Sequence, residues 1–393
     1  MPAPTLTDGV VTLRAHRDDD VPRVLEQCLD PVSRAWTTVP VPYDAAMAEQ
    51  YVAETMPGGW ADGSEWGFAV ELGGRFGGTV SLRPEGTGRA EIAFGSHPDV
   101  RGTGALLRAT RLLVDWGFAE QQLQTLVWQA FVGNWPSRRL AWRLGFAVEG
   151  TLRSYLPQRG ELRDAWIGTL LAEDPREPAK TWLDVPELVG DGFRLRRVLE
   201  KDAPRIHEGT AEPTTQRWLG HKPAPYTLDD AQEYVRRRHE LAASGQGVTW
   251  AVVAPDDDQI LGTVLWFNWT PGVECEIGYW VHADARGRGL ATKATRLVTD
   301  HVFKTLGVKR VTLCAAVDNT ASRRVAEAVG FRQYAVERFG AHVRDDWVDM
   351  ALYDVTAEEW SESSEGERSK ANATASTANP PTDSTAPISS GDR

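Results

Sequence analysis

The chain repeats itself once, so whatever fold it adopts must be one that can be built twice in tandem. Asp8-Gly9-Val10-Val11-Thr12-Leu13-Arg14 returns as Asp191-Gly192-Phe193-Arg194-Leu195-Arg196, and Trp36 with Pro42-Tyr43 returns as Trp218 with Pro225-Tyr226. Gly78-Thr79-Val80 returns as Gly262-Thr263-Val264, and Glu91-Ile92 as Glu276-Ile277. Arg101-Gly102 with Gly104 returns as Arg286-Gly287 with Gly289. Asn134, Ser137-Arg138-Arg139 and Gly145-Phe146 return as Asn319, Ser322-Arg323-Arg324 and Gly330-Phe331. The spacing drifts only from 182 (Leu13 to Leu195) to 185 (Phe146 to Phe331), so insertions between the copies are few. A period of that size is a whole domain with its own core, far longer than a solenoid repeat of roughly 20–45 residues.

The organisation read from this is a first domain over 1–185, a second over 186–360 and a tail over 361–393. The junction falls between Ala172 and Gly190, where Pro175, Pro178 and Pro186 interrupt a charged stretch. From about Ser361 the chain is Ser, Thr, Ala, Pro, Glu and Gly with almost no large apolar residue. Such a segment buries too little surface to offset its ordering entropy and is expected to be disordered.

Charge and cysteine usage narrow the function classes. A net charge of -12 disfavours nucleic acid, whose phosphates require clustered Lys and Arg, and disfavours anionic membranes. No apolar run approaches the roughly 20 residues of a membrane span. The opening Met-Pro-Ala-Pro-Thr lacks the basic and apolar regions of a secretory signal. Three scattered cysteines, Cys28, Cys275 and Cys314, suit a reducing cytoplasm and offer neither a disulfide framework nor a zinc site; no metal is expected.

Within each copy the order reads strand, helices, a run of strands, then helix, strand, helix and strands. Phe68–Leu72 and Gly78–Leu82 alternate like the arms of a hairpin, with Trp250–Val253 and Thr263–Phe267 in their places in the second copy. Leu290, Ala294, Leu297, Val298 and Val302 recur at helical spacing and mark a buried helix face. Strands are expected at Leu123–Trp128 and Arg310–Ala315, and helices at Ser137–Leu144 and Ser322–Val329, each closed by a Gly-Phe whose glycine suits a left-handed stop.

The chemistry-bearing stretch runs from Glu276-Ile277-Gly278-Tyr279-Trp280-Val281-His282 into Arg286-Gly287-Arg288-Gly289-Leu290-Ala291. It places a glycine-rich turn between a strand and a helix N-terminus, where unpaired N–H groups and the helix dipole favour an anion. Gly287 and Gly289 remove the side chains that would hold a diphosphate off the backbone; equally, a tight turn needs glycine for its dihedrals alone. Neither a Rossmann G-x-G-x-x-G nor a Gly-Lys-Ser/Thr phosphate loop is present.

Arg286-Gly287-Arg288-Gly289-Leu290-Ala291 resembles the R/Q-x-x-G-x-G/A diphosphate motif of the GNAT superfamily of N-acetyltransferases. Asn319-x-x-Ser322, a helix and Gly330-Phe331 resemble the later motif of the branch that acetylates ribosomal-protein N-termini (RimJ/RimL-like). The first copy carries the same pattern in His97 to Gly104 and in Asn134-Trp135-Pro136-Ser137, so the resemblance covers about 8–172 and 190–355. It implies an α/β (α+β) fold in each half: a mixed, mainly antiparallel sheet with splayed central parallel strands, flanked by helices. The splayed strands would be Glu91–Gly95 beside Leu123–Trp128, and Glu276–Val281 beside Arg310–Ala315. It also implies direct acetyl transfer from acetyl-CoA to an amine, with no covalent enzyme intermediate.

On that resemblance the coenzyme residues of the second copy are Trp280, Val281, His282, Arg286, Gly287, Arg288, Gly289, Leu290, Ala291 and Asn319. Backbone groups near Trp280, Val281 and His282 would pair with pantetheine or polarise the thioester carbonyl. In the first copy the coenzyme residues are Ser96, His97, Arg101, Gly102, Thr103, Gly104, Ala105 and Asn134. Glu276 and its counterpart Glu91 are candidate bases, or else ion-paired strand residues. Ser322 and Ser137 stand where the family places a hydroxyl near the sulfur, and also where a helix N-cap serine belongs. Glu149 occupies the place of a proposed base in ribosomal-protein acetyltransferases, but the second copy has Tyr334 there. His97 and His282 also read as strand-end turn residues, and Trp116, Trp142 and Trp280 as core fillers, while Trp36 and Trp218 precede Pro-Tyr and are candidates to line an acceptor pocket.

The copies differ at the motif. Leu106 stands where Gly or Ala is wanted and Thr103 replaces the basic Arg288, which points to the second copy as the main catalyst. Three readings remain open from sequence: an acetyltransferase with one or two active sites, an acyl-CoA sensor, and a scaffold whose tandem domains form an intramolecular pseudo-dimer. The acceptor is an amine, of a protein N-terminus or a small molecule; the sequence is silent on oligomeric state.

Overall fold

A computed structural model describes residues 2–220, 222–344 and 346–362. Of the tail expected to be disordered, 363–393 lies outside the described residues. The chain divides between Thr181 and Trp182 into two compact units.

The first unit runs β1 (Leu6–Thr7), β2 (Val11–Arg14), α1 (Val21–Leu29), α2 (Pro31–Trp36), α3 (Ala45–Gln50), α4 (Met56–Asp62), β3 (Trp66–Leu72), β4 (Arg75–Gly86), β5 (Arg89–Ser96), α5 (Ala105–Ala119), β6 (Thr125–Phe131), α6 (Trp135–Arg143), β7 (Ala147–Gln158) and β8 (Glu161–Leu171). Its eight strands lie in the order β1-β2-β3-β4-β5-β6-β8-β7. Every pairing is antiparallel except β5 with β6. The alternation noted in Phe68, Val70, Val80 and Leu82 turns these side chains onto one face, where they meet Leu113, Trp116 and Leu126 in the core.

The second unit repeats the plan: β9 (Leu188–Gly190), β10 (Phe193–Arg197), α7 (Ala203–Ala211), α8 (Pro213–Trp218), α9 (Leu228–Ala243), β11 (Val248–Val253), β12 (Ile260–Thr270), β13 (Glu274–Val281), α10 (Leu290–Leu306), β14 (Arg310–Ala316), α11 (Thr320–Val329), β15 (Arg332–Val343) and β16 (Asp346–Thr356). The strand order is again that of eight strands with one parallel pair, here β13 with β14. Leu290, Ala294, Val298 and Val302 face the core together with Trp250, Val264 and Ile277, as the helical spacing requires, and Leu297 packs half-buried beside them. Gly330 closes α11 in the left-handed conformation (φ 111°), and Gly145 follows α6 at φ 93°.

The parallel pair is what opens a site in the sheet. In the second unit β13 and β14 pair only from Glu274–Arg310 to Glu276–Thr312 and then part. Beyond that point, main-chain groups of both strands have no ladder partner across the gap, and buried main-chain donors and acceptors demand one. In the first unit the parallel pairing runs one step further past Glu91–Val127, to Ile92–Trp128.

Candidate active site

The gap in the second unit opens into a cavity of about 750 Å³. Its walls come from four places: β13 from Ile277 to Val281, the turn and first residues of α10, the ends of β14 and α11, and a roof made by Trp218 to Gly220 with Ala341 to Val343. Gly287 (φ 76°) and Gly289 (φ 69°) both need the left-handed region, and a Cβ built on either meets nothing within 4 Å. Their dihedrals explain glycine, and the empty space over them leaves the main chain open to a ligand. Gly289 is the N-cap of α10, and no side chain caps that helix. The N–H groups of its first turn are therefore available as anion donors.

In the equivalent turn of the first unit one amide is already engaged, although its N-cap, Gly104, also lacks a side-chain cap. Thr103 Oγ1 accepts from the Ala105 N–H (3.2 Å) and donates to the Val100 carbonyl (2.7 Å). Gly102 and Gly104 keep the same left-handed φ values of 78° and 82°. Leu106, in the place of Ala291, packs half-buried against the core.

The motif arginines serve the roof. Arg286 donates to Glu212 Oε2 (2.9 Å), Thr215 Oγ1 (2.7 Å) and the Val281 carbonyl (3.2 Å). Glu212 is the N-cap of α8 and accepts from the N–H groups of Thr214 and Thr215. Burial works against the Glu212 charge, but these hydrogen bonds and Arg286 outweigh it and hold the carboxyl far below the usual carboxylate range. Arg101 does the same for α2, reaching Asp30 (2.6 Å), Ser33 (3.0 Å) and the Ser96 carbonyl (3.4 Å). Both arginines thus anchor a short helix. Arg288 donates to the Asp284 carbonyl (2.9 Å) and is not part of the cavity wall.

His282 was expected to offer its backbone; its N–H instead donates to the Leu261 carbonyl (2.8 Å). Continuing the antiparallel alternation from that bond commits Trp280 to β12 and turns Tyr279 and Val281 toward the gap. The imidazole of His282 is buried against Asp284 (2.8 Å), and that of His97 against Glu26 (3.0 Å), both as structural parts of the strand end. The Trp280 ring lies over Gly209 on α7, where a Cβ would come within 2.7 Å of it.

At the far end of the cavity Asn319, not Ser322, is the helix N-cap, and in the first unit Asn134, not Ser137, is. Asn319 Oδ1 accepts from the Ser322 N–H (3.1 Å), and Asn134 Oδ1 from the Ser137 N–H (3.3 Å). This leaves the serine hydroxyls free for other work, and here the units diverge. Ser322 Oγ lies 3.1 Å from the Tyr279 hydroxyl, which also donates to the Ser322 carbonyl (3.0 Å). Burial pushes the Tyr279 phenol up to about 12, so it keeps its proton. Nothing in the spacing of motifs singles out Tyr279; its one signal is a hydroxyl in the gap strand where the first copy has Phe94. In the first unit Ser137 Oγ accepts from the indole N–H of Trp128 (3.0 Å), a fully buried ring. Trp128 stands in the strand position of Leu313, which lines the second unit's cavity.

Among the carboxylates, Glu276 accepts from Asn268 Nδ2 (3.0 Å) and lies beside Cys314, a cavity-lining residue. Desolvation within the cleft and the adjoining Glu276 charge push the Cys314 thiol up to about 12. Glu91 is ion-paired with Arg83 (3.6 Å), and burial raises its carboxyl. Glu149 accepts from Thr169 Oγ1 (2.5 Å) on the β7–β8 hairpin. No cluster of metal-ligating side chains occurs among the described residues, and no described helix is long and apolar enough to cross a membrane.

Comparison with known proteins identifies the family. The family model described as "Acetyltransferase (GNAT) domain" matches residues 11–147 and 193–332. The chain is 29% identical over 188 residues to the "Putative ribosomal N-acetyltransferase YdaF" of Bacillus subtilis, covering 46% of this chain and 97% of that protein. It is 26% identical over 98 residues to the "Ribosomal-protein-serine acetyltransferase" of Escherichia coli, covering 25% of this chain and 55% of that protein. Among solved structures, Mycobacterium smegmatis RimJ in complex with CoA-disulfide is 25% identical, with a TM-score of 0.41, over 45% of this chain and 90% of that one.

Proposed function

The chain belongs to the acetyltransferase (GNAT) family, with one such domain in each half, and on that premise we propose that its second half transfers the acetyl group of acetyl-CoA to the free amine of a protein N-terminus. The single observation that carries this reading is the convergence, in one cavity, of the uncapped α10 turn, the open edge of β13 and the Ser322 hydroxyl held by Tyr279.

Acetyl-CoA, when bound, supplies an activated thioester. The residues present fit its parts: first-turn amides of α10 for the diphosphate, and the gap-facing main chain of Tyr279 and Val281 for the pantetheine arm and the thioester carbonyl. Glu276, beside the cavity at Cys314, takes a proton from the incoming ammonium directly or through water, leaving a neutral amine. As the nitrogen–carbon bond forms and the carbon–sulfur bond breaks, the Ser322 hydroxyl passes its proton to the departing sulfur and takes in its place the proton that the attacking nitrogen loses, so it ends as it began. Tyr279 aims that hydroxyl and, with its phenol near 12, holds a proton in reserve. Asn319 orients the start of α11 through the Ser322 N–H.

The protein N-terminus as acceptor rests on the names of the relatives, which refer to ribosomal proteins. For the first half we propose a non-transferring domain. Its serine is engaged by Trp128, its turn amide by Thr103, and Phe94 has no hydroxyl to offer.

The test uses the full chain, acetyl-CoA and a panel of peptides with free N-termini, following release of coenzyme A thiol. Amine-dependent thiol release that Ser322→Ala lowers about 100-fold and Ser137→Ala leaves unchanged supports the reading, the factor being in the range for a lost acid catalyst. Thiol release insensitive to Ser322→Ala, or none with any amine, overturns it.

A further inference from the structure

The roof of the cavity hangs on α8, a helix of six residues, too short to hold itself together in isolation. Arg286 fixes its N-terminal end through Glu212 and Thr215. Its C-terminal end is fixed by a second arginine that the mechanism does not use. Arg344, at the tip of the β15–β16 hairpin, donates to the Gln216 carbonyl from Nε (3.1 Å) and Nη2 (3.0 Å), to the Lys222 carbonyl from Nη1 (3.0 Å), and to Gln216 Oε1. Carbonyls at a helix end lack intrahelical partners, and a planar guanidinium can bridge several at once.

Three further observations show that this bridge is built. Arg344 adopts φ 58°, a left-handed conformation that is unfavourable for a non-glycine residue and persists only where surrounding contacts over-determine it. Gly220 runs so close to the hairpin that a Cβ there would come within 2.5 Å of Val343 Cα. And the first unit repeats the device: Arg159 (φ 50°) donates to the carbonyls of Arg34 (2.5 Å) and Val39 (3.3 Å) in and beyond α2. The contact thus recurs although the segments it joins have diverged, Arg34 standing where the second copy has Gln216.

We propose that Arg344 is a positioning residue that sets the acceptor aperture. It pins the loop carrying Trp218, Leu219 and Gly220 against Ala341–Val343, closing the cavity over the amine-binding end. The roof so formed is lined by Trp218, Leu219, Gly220, Ala341, His342 and Val343, with no carboxylate or ammonium group among them, so it admits amines whose flanking side chain is small and uncharged. Releasing the loop widens the aperture without touching the α10 turn or the Ser322–Tyr279 pair. The proposal rests on the second half being the transferring one.

The test compares the full chain with Arg344→Met, which keeps the length and removes the donors, and Arg344→Lys, which keeps a charge but cannot bridge both carbonyls. Peptides beginning with Ser and with Leu serve as acceptors. Arg344→Met is expected to raise KM for the Ser peptide about 10-fold, consistent with losing about 1.4 kcal/mol of positioning. It is also expected to shrink the Ser-over-Leu preference in kcat/KM by a similar factor and to leave KM for acetyl-CoA within twofold; Arg344→Lys falls between. A readout independent of turnover is amide hydrogen exchange over 214–223, which should speed up in Arg344→Met alone among segments of the cavity wall. Equal changes in acetyl-CoA and peptide KM, or an unchanged preference, overturn the proposal. If the parent transfers to no peptide, the functional reading fails, while the exchange result still decides whether Arg344 holds the roof. Should Arg344→Met not fold, Gln216→Ala, which removes the side-chain acceptor, gives the same expected and overturning outcomes.

Discussion

Gly289 and Gly307 cap the two ends of one helix and form a matched pair. Both are left-handed, at φ 69° and 61°, both are exposed, and a Cβ on either meets nothing within 4 Å. Replacing either by Ala therefore imposes the same backbone cost, about 1–2 kcal/mol for an L-residue in that region. For a unit of this size that corresponds to a fall in Tm of roughly 2–8 °C, alike for both variants. They differ in what lies above them. Over Gly289 the space is the cavity, and a methyl group there keeps a diphosphate from the first-turn amides of α10. Losing one or two hydrogen bonds to a charged group costs about 1.5–3 kcal/mol each. KM for acetyl-CoA should thus rise at least 10-fold in Gly289→Ala and stay within twofold in Gly307→Ala. Differential scanning fluorimetry gives the first quantity and initial-rate kinetics against acetyl-CoA the second. Equal KM values in both variants would refute the reasoning, since the glycine would then serve only the turn.

Four further outcomes follow from the same geometry. Tyr279→Phe removes two neutral hydrogen bonds to Ser322, to its hydroxyl and its carbonyl, worth about 1 kcal/mol each, so kcat should drop roughly 5- to 30-fold with KM for acetyl-CoA unchanged in steady-state assays. Isothermal titration of the full chain with acetyl-CoA should give one site per chain, because in the first unit Thr103 takes the Ala105 N–H and the Trp128 indole lies against Ser137; two equivalent sites would contradict this. Arg286→Lys cannot hold Glu212 and Thr215 with a planar fork, so it should raise peptide KM more than acetyl-CoA KM, as kinetics with each substrate varied will show. Desolvation between Tyr51 and Phe76 holds His16 down to about 4. Between pH 6.5 and 4 the unfolded chain then binds a proton that the folded chain refuses, so stability falls with pH by about 2–3 kcal/mol from this group. Urea midpoints at pH 6.5 and 4.5 should differ less in His16→Gln than in the parent.

Local features of the chain were enough to lay out most of the fold. The tandem plan, the buried stripe Leu290-Ala294-Val298-Val302, the glycines at 287 and 289 and the left-handed stops at Gly145 and Gly330 are each set by spacing or by a backbone dihedral within a few residues. Spacing also placed Asn319 three residues before Ser322 and left the serine either as the cap or as a hydroxyl near the sulfur; the side-chain oxygen of Asn319 takes the capping bond and frees the hydroxyl.

What only the tertiary structure decided are partnerships between residues remote along the chain. Tyr279 meets Ser322 across 43 residues, Arg286 meets Glu212 across 74, and Arg344 meets Gln216 across 128. An arginine immediately before a glycine turn reads locally as a phosphate ligand, because its side chain is long enough to reach either a ligand or a neighbouring helix. The sheet's strand order brings α8 within reach of Arg286 and thereby makes it an anchor. In the same way Trp128 reads as an ordinary strand residue until the parallel pairing turns its indole onto Ser137. Backbone geometry is settled by near neighbours and so is written in the sequence, whereas the employment of a long polar side chain depends on which distant element the fold packs beside it.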